Sequence, residues 1–411
     1  MLILAQTPHG FDGWLTPYLT PLLGEVGAAA LSMLIVLAGC LAFIALNVMF
    51  LVWLERKISA RIQNRTGPMM TGPRKWAETS MWFGGFLQTP ADAIKLLFKE
   101  QIVPAKADRV PFYLAPMSIF AVCLSAHVVL PFGPLFWVAD LNVGLLYAVA
   151  ISSLTVLSIL MAGWASNSKY SLLGGLRSAA QMLSYEIPLI FALLGPILMA
   201  GSLSMVDIVR AQAEYGVWFM IPSFLGLVIY FICGIAEVNR PPFDIPEAES
   251  ELVAGYVSEY SGLMFAMFFL AEFANMFLIS GIATTVFLGG WLIPGFDAPE
   301  LTHPGLTANP RLWVQLLGLG AFVFKAYILV LIMMWIRWTF PRLRPDHLMN
   351  FGWKFLLPIA FLNLIGCAIA TLLYEVTGNP LSFWAAGLLL CLTVWSIMRS
   401  RRQPLPQGAR P

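Results

Sequence analysis

Residues 27–68 read GAAALSMLIVLAGCLAFIALNVMFLVWLERKISARIQNRTGP. The stretch 27–54 holds no charged side chain, and Glu55, Arg56, Lys57, Arg61 and Arg65 follow at once. A bilayer core about 30 Å thick takes roughly 20 apolar residues of helix, so 27–54 reads as a membrane-spanning helix with a charged end. Outward from this segment the pattern repeats. Further apolar runs lie at 111–133, 142–165, 182–201, 217–237, 263–293, 313–339, 354–374 and 381–398. Glycine and proline inside several of them are tolerated in membrane helices. The expectation is an all-α integral membrane protein with about nine transmembrane helices.

Composition agrees. Hydrophobic residues make up 59% of the chain and charged residues 11%, against roughly 25% charged in a soluble domain. The deficit runs along the whole length, which excludes a globular domain with a single anchor. A net charge of +2 without a basic face gives no nucleic-acid partner. Cys40, Cys123, Cys233, Cys367 and Cys391 are scattered in or beside apolar runs, with no CxxC pair. Neither a disulfide framework nor an iron–sulfur or zinc site is expected. The N-terminus lacks a basic segment and its first apolar run is broken by Gln6 and Pro8, so no cleavable signal peptide is expected.

Lysine and arginine set the orientation. With the N-terminus outside and the C-terminus inside, 21 of the 24 basic residues fall on inside segments. Arg210 and Arg311 are left outside, and Lys325 lies within a helix. The first inside loop contains QTPADAIKLLFKE, 88–100. Ala91, Ile94, Leu97 and Phe98 share one helical face while Asp92, Lys95 and Lys99 lie off it. That is the pattern of an amphipathic helix on the membrane surface or against a neighbouring protein.

Charges within a bilayer are costly and mark ion or proton paths. Glu186 sits in SYEIP, Glu272 in FLAEFAN with Asn275 one turn on, and Lys325 in FVFKAY, while Glu237 closes the fifth run. His127 has no second intramembrane histidine beside it and reads as a core residue. The segment after Glu237, AEVNRPPFDIPEAESELVAGYVSEYSG (236–262), holds Asp244, Glu247, Glu249, Glu251 and Glu259 against Arg240. Its prolines hold the entry extended. Asp244 and Glu247 have capping-box spacing, which predicts a helix placing Glu247, Glu251, Gly255 and Glu259 on one face. Carboxylates this crowded raise one another's pKa. Arg337, Arg342 and Arg344 cluster at the end of the seventh run, where arginine usually pairs with an acid or a ligand. No phosphate loop, nucleophile elbow or metal-ligand spacing appears. Nothing in the sequence carries an electron.

Six segments together resemble one family closely. They are LERKISARIQNRTGP (54–68), ADAIKLLFKE (91–100), GWASNSKYSLLGGLRSAAQMLSYE (163–186), the acidic segment 236–262, FLAEFAN (269–275) and WIRWTFPRLRPDHLM (335–349). The family is the quinone-site membrane subunit of respiratory complex I, the proton-pumping NADH:quinone oxidoreductase of bacteria and mitochondria. The resemblance covers about residues 27–375. It implies an eight-helix membrane subunit in a bacterial plasma membrane, catalytic only within its complex. Its substrate would be a quinone such as ubiquinone, with no metal or covalent cofactor on this chain. Its partners would be the other membrane-arm subunits, the iron–sulfur subunits of the peripheral arm that deliver electrons from NADH, and membrane lipid. Arg56, Arg65, Asp92 and Arg337 match polar residues of the family's quinone channel. Glu186, Glu237 and Glu272 match buried carboxylates between the quinone chamber and the pumping subunits. Asp244, Glu247, Glu249, Glu251 and Glu259 match the acidic loop beside the chamber, and Lys169 and Lys325 also match family positions.

Two departures stand out. Between Pro73 and Gln88 the chain carries RKWAETSMWFGGFL, longer than the family's usual connection. Residues 376–411 add a ninth helix and a basic tail to the family domain of 1–375. Alternative readings are the corresponding subunit of a membrane-bound hydrogenase or other-donor dehydrogenase, or a stand-alone ion transporter. The intact acidic block disfavours the first, and the lack of paired repeats disfavours the second.

Overall fold

The computed structural model describes residues 11–69, 71, 84–134, 136–245, 254–296, 301, 311–378 and 387. The expected ninth helix and tail, Glu247, Glu249 and Glu251, and most of the insertion before Gln88 lie outside the described residues. Within them the chain is helical, without strands. Helix α1 is Phe11–Ile62, broken at Gly24, whose φ of 72° favours glycine. Then come α2 Gln88–Phe98, α3 Arg109–His127, α4 Gly144–Ala165, α5 Lys169–Ala200, α6 Met205–Tyr215 and α7 Phe224–Glu237. Helices α8 Gly262–Phe287, α9 Leu312–Thr339, α10 Pro345–Phe351 and α11 Leu357–Thr377 complete the order. A π-helical turn joins the last two.

Seven of these helical segments are long and apolar enough to cross a membrane: Val26–Ile62, α3, α4, α5, α8, α9 and Pro345–Thr377. The chain is a multi-pass membrane protein. The expected span 217–237 is corrected: only Phe224–Glu237 is helical, too short to cross alone. The irregular backbone before it is satisfied within the protein. Buried Gln212 on α6 donates to Thr285 O at 2.9 Å and accepts from Phe219 N–H at 3.1 Å, and Met220 N–H reaches Phe287 O at 2.8 Å. Helix α5 starts at Lys169, well before its expected apolar run at 182. The small and polar residues of 169–181 hide that first part from a hydropathy reading, but they let α5 lie close to α4. A Cβ on Gly175 would meet Gly163 Cα at 3.4 Å, the small-residue contact typical of membrane helices.

Helix α3 packs against α4, α4 against α5, and α5 against α7. Helix α5 also packs along α11 in the same direction, with Tyr185 beside Gly352 and Gly195 beside Cys367. Helix α8 is central and touches α1, α2, α3, α6, α7 and α9. Its side chains from Phe273 to Phe287 are almost continuously buried, as expected of a helix surrounded by others. Helices α1, α9 and α11 form the perimeter. The amphipathic helix is present as α2, with Thr89 its buried residue. Its apolar face stays uncovered by the chain: Ile94, Leu97 and Phe98 are 55%, 60% and 87% exposed.

The expected helix through Gly255 and Glu259 is corrected. Gly255 has φ 56° and opens a short 3-10 turn, Gly255–Val257. Its backbone lies so close to α5 that a Cβ on Gly174 would fall 2.6 Å from Gly255 Cα.

Candidate functional site

Four charged residues converge where the C-terminal ends of α1, α7 and α9 meet the first half of α8. Glu55 ends the apolar part of α1, and its side chain is 8% exposed. Arg240, 4% exposed, stands just past α7 and brings Nη1 to 2.9 Å from Glu55 Oε2 and 3.0 Å from Oε1. The Nε of Arg240 lies 2.6 Å from Glu272 Oε1 on α8. Its guanidinium also covers the ring of Phe273 at 4.3 Å. Arg337, from the last turn of α9, donates to the same Glu55 carboxylate. Two acids and two arginines thus alternate across four elements. Such burial is tolerated only because each charge is paired.

The turn that presents Arg240 is fixed by polar groups on α5. Buried Gln181 donates to Ala236 O at 2.8 Å and Phe243 O at 2.5 Å. Asn239, with φ 55°, donates to Ser178 at 3.1 Å. Asp244 is tied to Arg342 at 3.0 Å, and Leu343 N–H donates to Pro242 O at 3.1 Å. The segment 240–244 is thereby clamped between α5 and the strap after α9.

A second, more open pair borders this network. Arg56 meets Asp92 of α2 at 2.5 Å, with side chains 41% and 32% exposed. Gln88 donates to the other Asp92 oxygen at 3.1 Å. Arg65 lies past α1 and is exposed, as is Lys169 at the start of α5. Glu259 is half-buried beside the 3-10 turn.

Deeper in the bundle, Glu237 sits between two small cavities of ≈ 20 Å³ each. The first is bounded by Glu272, Glu237, Asn275, Thr155 and Tyr256. The second is bounded by Glu237, Asn275, Ser152 and Tyr230. Each is about large enough for one water among polar partners. Ser152 and Glu237 share the wall of the second cavity, and Glu186 is close enough for its charge to act on the Glu237 carboxyl. A discontinuous polar line therefore runs from Arg337 through Glu55, Arg240 and Glu272 to Glu237. Along it the carboxyls can take up or release a proton, whereas the two arginines stay charged and act as fixed positive partners.

Lys325 does not join this line. Its ammonium donates to Leu288 O at 2.7 Å, Gly290 O at 3.0 Å and Leu292 O at 2.6 Å, and lies 4.3 Å from the Trp218 ring centre. Those carbonyls follow the far end of α8. Along α9, Lys325 is about 18 Å from Arg337 by helical rise.

Residues 35–368 match the family described as NADH dehydrogenase. This chain belongs to the NADH dehydrogenase family. Among its relatives is the H-type subunit of NADH-quinone oxidoreductase from Carboxydothermus hydrogenoformans, 43% identical over 89% of this chain and 96% of that protein. The protein of the same name in Chlorobium luteolum is 48% identical over 82% of this chain and 89% of its own length. That of Anaeromyxobacter dehalogenans is 46% identical over 79% of this chain and 77% of its own.

Within this NADH dehydrogenase fold the hub is Glu55, which the sequence presents only as one member of a charged cluster. Arg240 appears there only as an offset to the acidic loop. Gln181 and Asn239 carry no functional mark of their own. A buried glutamine in an apolar helix is nevertheless a usable signal, because its amide must find partners inside the protein.

Proposed function

We propose that this chain is the quinone-site membrane subunit of a proton-pumping NADH:quinone oxidoreductase, acting only within its complex. The observation that carries the reading is the Glu55 carboxylate held between Arg240 and Arg337, with Arg240 passing contact to Glu272. Substrate is a quinone, ubiquinone being one such, and electrons arrive from an iron–sulfur partner in the peripheral arm. The charged end faces the inside of a bacterial plasma membrane, with the N-terminus outside. Its other neighbours are membrane-arm subunits and lipid.

Quinone reduction to quinol consumes two electrons and two protons. Arg56, Asp92, Arg65 and Arg337 border the quinone path in this reading. Negative charge developing on the quinone draws on Arg337 and weakens its hold on Glu55. Glu55 then leans on Arg240, and the change reaches Glu272 and, through the water-sized cavities, Glu237 and Glu186. Differential pairing of this kind alters the proton affinity of linked carboxylates. In this reading Asp244, Glu247, Glu249, Glu251 and Glu259 belong to the acidic segment beside the quinone chamber, where they feel the same charge change. Lys169 lies at the same end, at the foot of α5. Lys325 holds the far loop of α8.

The test is a deletion strain complemented with wild type, Arg337→Ala or Glu237→Gln, with complex assembly checked on native gels. Wild type should restore NADH-driven quinone reduction and proton pumping. Arg337→Ala should lower quinone turnover in an assembled complex, and Glu237→Gln should lower pumping. Unchanged NADH turnover on deletion would sink the reading.

A further inference from the structure

We propose that the apolar cavity between α1, the α3–α4 connection and α9 is a binding site for one acyl chain of a membrane phospholipid. The cavity measures ≈ 430 Å³ and is walled by Ile35, Gly39 and Phe43 of α1, Phe132 and Phe136 of the connection, and Val323 of α9. Among the described residues no acid, lysine or arginine lines it. It lies at the end of the bundle opposite the charge network. Gly39 is about 24 Å along α1 from Glu55, and Val323 about 21 Å along α9 from Arg337.

Three observations select the occupant. First, both flanking helices present apolar side chains outward at this depth: Leu34 is 63% exposed, Leu37 45%, Leu316 49% and Phe324 68%. The mouth therefore opens onto hydrocarbon. Second, an apolar cavity of about 150 Å³ already stays dry and takes up an apolar guest. One nearly three times larger, walled by aliphatic and aromatic groups, is filled by hydrocarbon in a bilayer. Third, the polar side chains on the wall are the Cys40 thiol and the buried His127 ring, whose Nδ1 bonds Cys123 O at 2.8 Å. That offers a charged headgroup no counter-charge, so the chain enters and the headgroup stays at the membrane surface.

Gly39 supplies the test, because a Cβ there would meet no atom within 4 Å. A tryptophan at this position meets no clash at its Cβ and sets a bulky indole on the wall of the cavity. The intact complex would be purified from membranes, exchanged into nanodiscs of phosphatidylethanolamine with dibrominated acyl chains, and imaged by electron cryomicroscopy. Wild type and Gly39→Ala should show bromine scattering inside the cavity, and Gly39→Trp should lose it while bromine elsewhere in the lipid belt remains. Should Gly39→Trp not assemble, Val323→Trp blocks the same space from α9. An empty cavity, a side chain from a neighbouring subunit in it, a quinone tail in it, or bromine unchanged in the blocked variant would each overturn the proposal.

Discussion

Arg240 grips both carboxylate oxygens of Glu55, at 2.9 and 3.0 Å, across 185 residues of sequence. The pair joins the last turns of α1 to the turn after α7. Both side chains are almost fully buried. Replacing Arg240 with methionine strands the Glu55 charge in a site that Arg337 only half covers. Losing one partner of a buried pair costs about 3–5 kcal/mol. Native gels should show little assembled complex for Arg240→Met. Arg240→Lys, which keeps the charge but loses the fork, should assemble with reduced quinone turnover.

The Arg56–Asp92 pair behaves differently because it is about a third or more exposed. Solvent-screened pairs contribute about 0–1 kcal/mol. Asp92→Asn should leave the melting temperature of the complex nearly unchanged. Its effect should fall on the KM for a short-chain quinone more than on kcat, in steady-state assays at fixed ionic strength.

Gly174 of α5 and Gly255, in the segment leading into α8, approach so closely that a Cβ on Gly174 would fall 2.6 Å from Gly255 Cα. Gly174→Ala drives a methyl into the Gly255 backbone. Overpacking of this kind costs about 1–3 kcal/mol. Turnover of the assembled complex should fall, because Gly255 begins the turn that carries Glu259. Gly320→Ala, where a Cβ meets nothing within 4 Å, is the control and should resemble wild type.

Lys325 satisfies three carbonyls with one ammonium. Lys325→Met leaves them in an apolar setting, at about 1–3 kcal/mol for an unsatisfied buried group. Detergent-solubilised complex should inactivate at lower temperature, with protons pumped per electron unchanged in whatever remains assembled. Proton-to-electron ratios in vesicles check this.

Asp140 lies in the connection between α3 and α4 and accepts a hydrogen bond from Ser204 at 2.8 Å. Burial raises its pKa, and the charge of Asp207 adds to the rise, while the Ser204 bond opposes it. A raised folded-state pKa means that the folded form holds the proton more tightly than the unfolded one. This group therefore favours folding at low pH, and the benefit fades as pH climbs from the ordinary aspartate range through the raised value. Asp140→Asn should remove that slope from a pH series of melting temperatures and leave stability above it equal to or higher than wild type.

Helix existence was legible in the sequence wherever an apolar run was long, as in α1, α3, α4, α8 and α9. Periodicity also revealed α2, because one face of QTPADAIKLLFKE is apolar. It failed at α5, whose first half interrupts its leucines with Lys169, Ser171, Gly174, Gly175, Arg177, Ser178 and Gln181, and at 217–237, where only the latter part is helical. The amphipathic α6 left no recognised mark. Among the candidate site residues, Glu186, Glu237, Glu272, Lys325 and Arg337 stood out because charge in or beside hydrocarbon is rare. Glu55 did not, since it sits in a cluster that positive-inside anchoring alone would explain.

The sequence by itself determined that this chain crosses the membrane many times and which of its ends are charged, because a bilayer forces long apolar helices and penalises every buried charge. It also determined the family, through long polar blocks whose order and spacing are specific. Only the tertiary structure decided which charges meet. Glu55, Arg240, Glu272 and Arg337 are far apart along the chain, and their pairing depends on how α8 sits among its neighbours, a packing outcome that no local pattern encodes.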